Sequence, residues 1–152
     1  GDDTKIVVDN DRKNEKEYED EQKAIDDIEK ELSVDIPRFL YRPEGLKFKD
    51  YNISKDFEYA LLQYDYNDTI MTLYINKYDK ETKSTGASLD GKEIETIKLP
   101  EGEASIQVKR IMAKGDKKAS YVAYWNNSTE FYQIESQMEE KEFIKLIKNI
   151  KF

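Results

Sequence analysis

The chain contains no cysteine and no histidine. Without thiols there is no disulfide framework and no cysteine nucleophile, and without imidazole the usual base beside a serine nucleophile is missing. The same two absences remove the common ligands of zinc, copper, haem and iron–sulfur sites. No Ser-x-x-Lys spacing occurs, and Lys83-Ser84-Thr85-Gly86 stands without the partner motifs that would make it catalytic. Glycine is sparse at 6 and forms no phosphate-cradling loop. No apolar run approaches the roughly 18 residues that a spanning helix needs. The expectation is therefore a protein without metal or cofactor and without catalytic machinery.

What is present is charge and aromatic carbon. The chain has 152 residues, a length that suits one domain. It is 38% hydrophobic and 12% aromatic, with 11 Tyr, 6 Phe and 1 Trp. Asp plus Glu outnumber Lys plus Arg by 33 to 25, a net charge of −8. Residues 1–31 hold 13 of those acids and 6 of the bases, so most of the imbalance sits in an N-terminal arm. Residues 1–31 read as an acidic, partly helical spacer, and 32–152 as the folded domain into whose start that helix continues. Without a basic stripe the chain is a poor ligand for nucleic acid, and anionic membrane surfaces are disfavoured for the same reason. The chain opens Gly1-Asp2-Asp3 with no Met, which reads as a protein trimmed of a leader or anchor.

The pattern along the chain predicts helix, strands, helix. Ile6-Val7-Val8 reads as an edge strand or an ordered tail, and Asp9 to Asn14 as a turn. Glu15 to Leu32 reads as a helix capped by Asn14, with Tyr18, Ile25, Ile28 and Leu32 as its apolar stripe. Pro37 stops it. Strands follow at 46–54, 59–66 and 69–78. Asn67-Asp68 closes a hairpin in which residue numbers sum to 135, pairing Tyr64 with Met71, Leu62 with Leu73 and Ala60 with Ile75. The 79–91 segment is a long polar loop. Further strands are expected at 93–99, 104–113, 119–125 and 130–136. In the last hairpin, pairs summing to 255 would set Tyr121 against Ile134 and Tyr124 against Phe131. Ile106, Val108 and Met112 share one side of 104–113. A helix over 137–151 presents Phe143, Leu146, Ile147 and Ile150 at i, i+3, i+4 and i+7.

No βαβ unit appears. The fold class is α+β: a single curved antiparallel sheet of about six or seven strands, flanked by an N-terminal and a C-terminal helix. Aromatic residues on the second face of the 119–136 hairpin predict that both sheet faces are partly covered.

The run Leu32 to Phe48, an extended Pro-containing segment leading through Pro43-Glu44-Gly45 into a strand, resembles the opening of domain-of-unknown-function family 4367. Tyr124-Trp125, Phe131-Tyr132-Gln133-Ile134 and the helix from Glu139 to Ile150 resemble its close. The resemblance covers roughly residues 32 to 152. It implies the extracytoplasmic part of a membrane-anchored protein of a Gram-positive bacterium, and it implies no catalytic residues. The pattern from Glu142 to Ile150 also looks like the end of PsbP-like lipoprotein domains.

Carboxylate pairs are uninformative in so acidic a chain, and Asp65-Tyr66-Asn67-Asp68 is a hairpin turn that lacks the glycine and terminal Glu of a calcium loop. The remaining candidates are aromatic. Tyr74, Tyr78, Tyr124 and Phe131 fall opposite the expected core face, where they could stack a sugar or anchor a partner. The expected function is a non-catalytic extracytoplasmic sensor or protein-interaction domain, tethered through an anchor outside this sequence. Its partner would be another envelope protein or a cell-wall component. The alternative is a small-ligand or glycan-binding domain using these aromatics and the 79–92 loop. The least favoured is a carboxylate-based envelope hydrolase.

Overall fold

The structure, a computed structural model, describes residues 2–77, 91–99, 105–127 and 129–152, with the helical backbone alone for 2–15. In chain order the elements are α1 (Asp2–Leu32), β1 (Arg38–Phe39), β2 (Leu46–Ser54), β3 (Tyr59–Tyr66), β4 (Thr69–Lys77), β5 (Lys92–Lys98), β6 (Ser105–Ile111), β7 (Ser120–Asn126), β8 (Glu130–Ser136), α2 (Glu140–Lys148) and β9 (Ile150–Lys151). β2 to β8 form a seven-stranded sheet in the order β2-β3-β4-β8-β7-β6-β5, and β1 pairs with β9 in a small second sheet. Every neighbouring pair is antiparallel. The protein is α+β, with its two helices flanking an antiparallel sheet.

The β3–β4 hairpin has the register that its turn dictates, Tyr64 opposite Met71 and Ala60 opposite Ile75. Asn67 takes a φ of 54°, a left-handed conformation that Asn tolerates and that the first central position of a primed hairpin turn requires. Gly45 sits at φ 92°, and a Cβ there would lie 2.7 Å from Asn67 Oδ1. The positive φ is what calls for glycine where the entry to β2 passes the hairpin tip, and a Cβ there would also displace the Asn67 side chain.

Four expectations are corrected. First, Ile6-Val7-Val8 and Asp9–Asn14 are neither strand nor turn but lie within α1. Nothing between Asp2 and Leu32 is Gly or Pro, the residues that break a helix, so Asn14 is an interior position and not a cap. Second, the β7–β8 register is offset by two. Tyr121 faces Ser136, Ala123 faces Ile134 and Asn126 faces Phe131. The cause is Asn127, whose Oδ1 accepts the backbone N–H groups of Thr129 and Glu130 at 2.8 and 2.7 Å. This closes the turn between 127 and 130. Because the slip is by two residues, each side chain keeps its face.

Third, α2 is shorter than the apolar repeat suggests. Asn149 leaves the helix, its N–H bonding Leu146 O at 3.2 Å and its side chain bonding Lys145 O at 2.7 Å. Ile150 is buried by pairing with Phe39 rather than as a fourth helical ridge. Both helices pack on one face of the sheet, and on the other face Val122 and Phe131 are buried as well, so both faces are partly covered. Ala24, Ile25, Ile28 and Leu32 of α1 join Phe143, Leu146 and Ile147 of α2 in one cluster with Leu62, Tyr64, Leu73, Ile106, Ala123 and Ile134. Each fully buried large side chain contributes about 1.5–3 kcal/mol. Fourth, Met112 lies beyond β6 and is exposed, so it does not continue the Ile106–Val108 side.

Candidate recognition face

The side of the sheet without helices is defined by strand register. Across all seven strands one row reads Asn52, Leu61, Tyr74, Gln133, Tyr124, Gln107, Thr96. The next row toward one end reads Ser54, Tyr59, Asn76, Phe131, Asn126. None of these residues is charged, in a chain that is 38% charged. The rows combine partly exposed aromatic rings with amide and hydroxyl side chains, a combination suited to contact with a partner. The row on the other side restores charge, reading Asp50, Gln63, Thr72, Glu135, Val122, Lys109, Glu93.

Of the four aromatics named from the sequence, the structure brings three together. Tyr74 and Tyr124 flank Gln133 in the uncharged row, both half-buried. Adjacent strands lie about 4.8 Å apart, so the two tyrosines are separated by about 10 Å of sheet. Phe131 is on the same face but is only 2% exposed. It packs edge-on against Tyr74, centroids 6.5 Å apart, so it supports that ring rather than presenting a surface of its own. Tyr78 lies outside the described residues, as does most of the 79–92 loop.

Tyr74 is held on three sides. Tyr59 leans on it at 5.7 Å between centroids, Phe131 meets it edge-on, and Asn76 Nδ2 donates to its hydroxyl at 3.1 Å. Lys109 places its ammonium 5.5 Å from the centroid of Tyr124, a cation–π distance. Thr96 donates to Gln107 Oε1 at 3.1 Å at the far end of the row. Glu135 is the only acid that the three central strands β4, β8 and β7 put on this face. Burial pushes its carboxyl above the ordinary carboxylate range. The face offers flat aromatic surface, amide donors and acceptors, and one partly desolvated carboxyl.

The helix-covered side carries a second set of polar groups that the sequence did not single out. Glu21 on α1 is 3% exposed. It accepts the Tyr64 hydroxyl at 2.5 Å and the Arg42 guanidinium at 2.6 Å. Around it Glu17 accepts the Phe48 N–H at 2.8 Å, Asp27 the Tyr51 hydroxyl at 2.5 Å, Glu29 the Ile36 N–H at 2.9 Å, and Glu31 pairs with Lys55 at 2.6 Å. The acids of the arm are therefore docking groups in good part, not only a solvated face. A signal was there: Glu21 fills the gap of seven between Tyr18 and Ile25 in the apolar stripe.

Tyr66 and Tyr41 donate to Glu139 and Glu142 at the start of α2, and Lys145 lies 4.3 Å from the Tyr41 ring centroid. The bond to Glu139 pushes the Tyr66 phenol up to about 12, while the same bond lowers the Glu139 carboxyl. Among the described residues no three His, Cys, Asp or Glu side chains form a group able to hold a metal ion. Among them no helix is long and apolar enough to cross a membrane.

A seven-stranded antiparallel sheet with two helices on one face, and an aromatic and amide surface on the other, defines an α+β domain of single-sided packing. The chain matches the family described as Domain of unknown function (DUF4367) over residues 36–150 and belongs to that family. The matched stretch begins after α1 and ends at the first residue of β9, so it takes in the whole large sheet and α2. No curated protein and no solved structure matches the chain. No match supports the second likeness, to PsbP-like domains.

Proposed function

We propose that this chain is a non-catalytic recognition domain of an extracytoplasmic bacterial protein, held at the cell membrane of a Gram-positive organism by an anchor outside this sequence. Its helix-free sheet face binds a protein of the envelope or a component of the cell wall. The observation that carries this reading is the pair of adjacent uncharged rows centred on Tyr74, Gln133 and Tyr124. Sheet faces of this kind hold partners through aromatic anchors surrounded by hydrogen-bonding groups. A hydrolytic reading needs two acids about 5–10 Å apart across a cleft, and the centre of this face supplies Glu135 alone. A second reading, a glycan as the ligand, is favoured by the lack of charge and by the roughly 10 Å between the two tyrosines.

The test is a thermal-shift screen against soluble cell-wall fragments, neutral oligosaccharides and peptides, repeated on Tyr74→Ala and Tyr124→Ala. A ligand at 100 times its Kd adds about 2.7 kcal/mol, a rise of roughly 5–10 °C at this size. The reading expects a hit that both substitutions abolish. A hit that survives both substitutions would remove the face from the assignment.

A further inference from the structure

The large sheet has two edges, and they are treated differently. Along β2, α1 lies against the edge, and Glu17 takes the Phe48 N–H at 2.8 Å. The bond falls where the register shifts between Phe48 and Asp50. Along β5, the other edge, the only partner strand among the described residues is β6. An edge strand presents unused backbone donors and acceptors that another strand can complete.

Beside β5 runs a groove of about 390 Å³ against α2, with Ile97, Leu99 and Ile147 on its apolar side and Glu95, Lys98 and Lys148 on its rim. Lys148 and Glu95 neutralise one another at 3.1 Å. Lys98 is exposed and has no ion-pair partner among the described residues. The edge of β5 therefore offers apolar volume on its α2 side at Ile97 and, on its other face, the charge of Lys98, and among the described residues neither an ion-pair partner for Lys98 nor a second strand along this edge is present.

We propose that β5 accepts an extended segment of another polypeptide by strand addition. The segment places one apolar side chain in the groove against Ile97 and Ile147, and an acidic residue beside Lys98. Backbone bonding along the edge supplies the affinity, and alternate side chains of the added strand supply the selectivity. A second copy of this chain is a poor occupant. Antiparallel pairing about the midpoint of β5 would oppose Glu95 to Glu95 and Lys92 to Lys98, like charges directly across. The register shift between Glu93 and Glu95 further confines regular pairing to the Glu95–Lys98 end, next to the groove. This site uses neither the Tyr74 nor the Tyr124 ring, although Lys98 stands on the same face of the sheet as Thr96.

The experiment titrates the ¹⁵N-labelled chain with a capped peptide, Thr-Val-Glu-Val-Thr-Leu-Thr, following backbone amide shifts and hydrogen exchange. The expected result is saturable shifts confined to β5 and α2, with slowed exchange of outward β5 amides. Lys98→Glu, an exposed change that leaves the fold intact, should weaken binding at least fivefold. Replacing the peptide's glutamate by lysine should restore it. Shifts on the Tyr74–Tyr124 face instead, no saturation at millimolar peptide, or equal binding of both peptides by Lys98→Glu would each overturn the proposal. So would sedimentation showing a dimer of this chain that Lys98→Glu dissolves.

Discussion

Tyr64 on β3 donates its hydroxyl hydrogen to Glu21 on α1 at 2.5 Å, and the other oxygen of that carboxylate holds Arg42 at 2.6 Å. The glutamate side chain is 4% exposed and the arginine 22%. The ring of Tyr64 meets Phe39 and Phe48 edge-on, each at 5.6 Å between centroids. The helix is thus joined to the sheet through a desolvated charge pair seated among aromatic rings, and removing one member leaves the other uncompensated.

Glu21→Ala should cost about 3–5 kcal/mol of unfolding free energy, the range for breaking a buried pair from one side. Tyr64→Phe, which removes one hydroxyl and keeps the ring, should cost about 1–2 kcal/mol. Urea unfolding followed by circular dichroism gives both numbers. A loss under 1 kcal/mol for Glu21→Ala would mean that α1 is not coupled to the sheet through this group.

Glu135 should make the protein less stable at neutral pH than it would be with an amide there. Burial raises its folded-state pKa above the ordinary value of 4.5. The native state then holds the proton more tightly, so the contribution is fully present below about pH 4.5 and is lost as pH rises through the folded value. Glu135→Gln should therefore raise Tm at pH 7 and change it little at pH 4. Equal shifts at both pH values would show that the carboxyl is not desolvated.

Alkaline pH should unfold the protein through its tyrosines. The Tyr66 phenol stands at about 12 because it bonds Glu139, against an ordinary 10. Tyr41 and Tyr51 are raised by their bonds to Glu142 and Asp27, and Tyr64 is raised chiefly by burial. A raised folded value stabilises below the unfolded one, so stability should hold to about pH 10 and fall as pH climbs toward 12. Melting curves across that range, with tyrosinate absorbance as a second signal, test this. Tyr66→Phe should flatten the decline.

Asn127→Ala should cost about 1–2 kcal/mol, because its side chain accepts two backbone N–H groups that close the β7–β8 turn. It should also loosen the local register. Exchange of the Asn127 amide, which bonds Glu130 O at 3.0 Å, reports this directly. Unchanged protection would show that strand pairing alone sets the register.

Local signals were enough for most of the sheet. The alternation in β3 and β4 and the Asn67-Asp68 turn settle the hairpin register, because a two-residue loop leaves one pairing that buries a single face. At β7–β8 the same arithmetic slipped by two. Asn126 and Asn127 can each begin an Asx turn, and which one does is decided by the bonds it makes. The aromatic face was legible as residues but not as a surface. That Tyr74 and Tyr124 share a row follows only from β4 and β7 both pairing with β8, and the β4–β8 contact joins strands about 60 residues apart. Alternation gives the face of Phe131 but not its depth, so the sequence marks it as a contact residue while the structure buries it.

Sequence by itself determined the class: two amphipathic helices around antiparallel strands, without thiol or imidazole chemistry, because periodicity and composition are properties of neighbouring residues. Tertiary structure decided where charge and exposure fall. It docked the acids of α1, placed both helices on one side, drew Ile150 out of α2 to pair with Phe39, and left β5 beside a groove. Those outcomes depend on which distant segment supplies the partner for a hydrogen bond or an apolar stripe, and no local pattern carries that information.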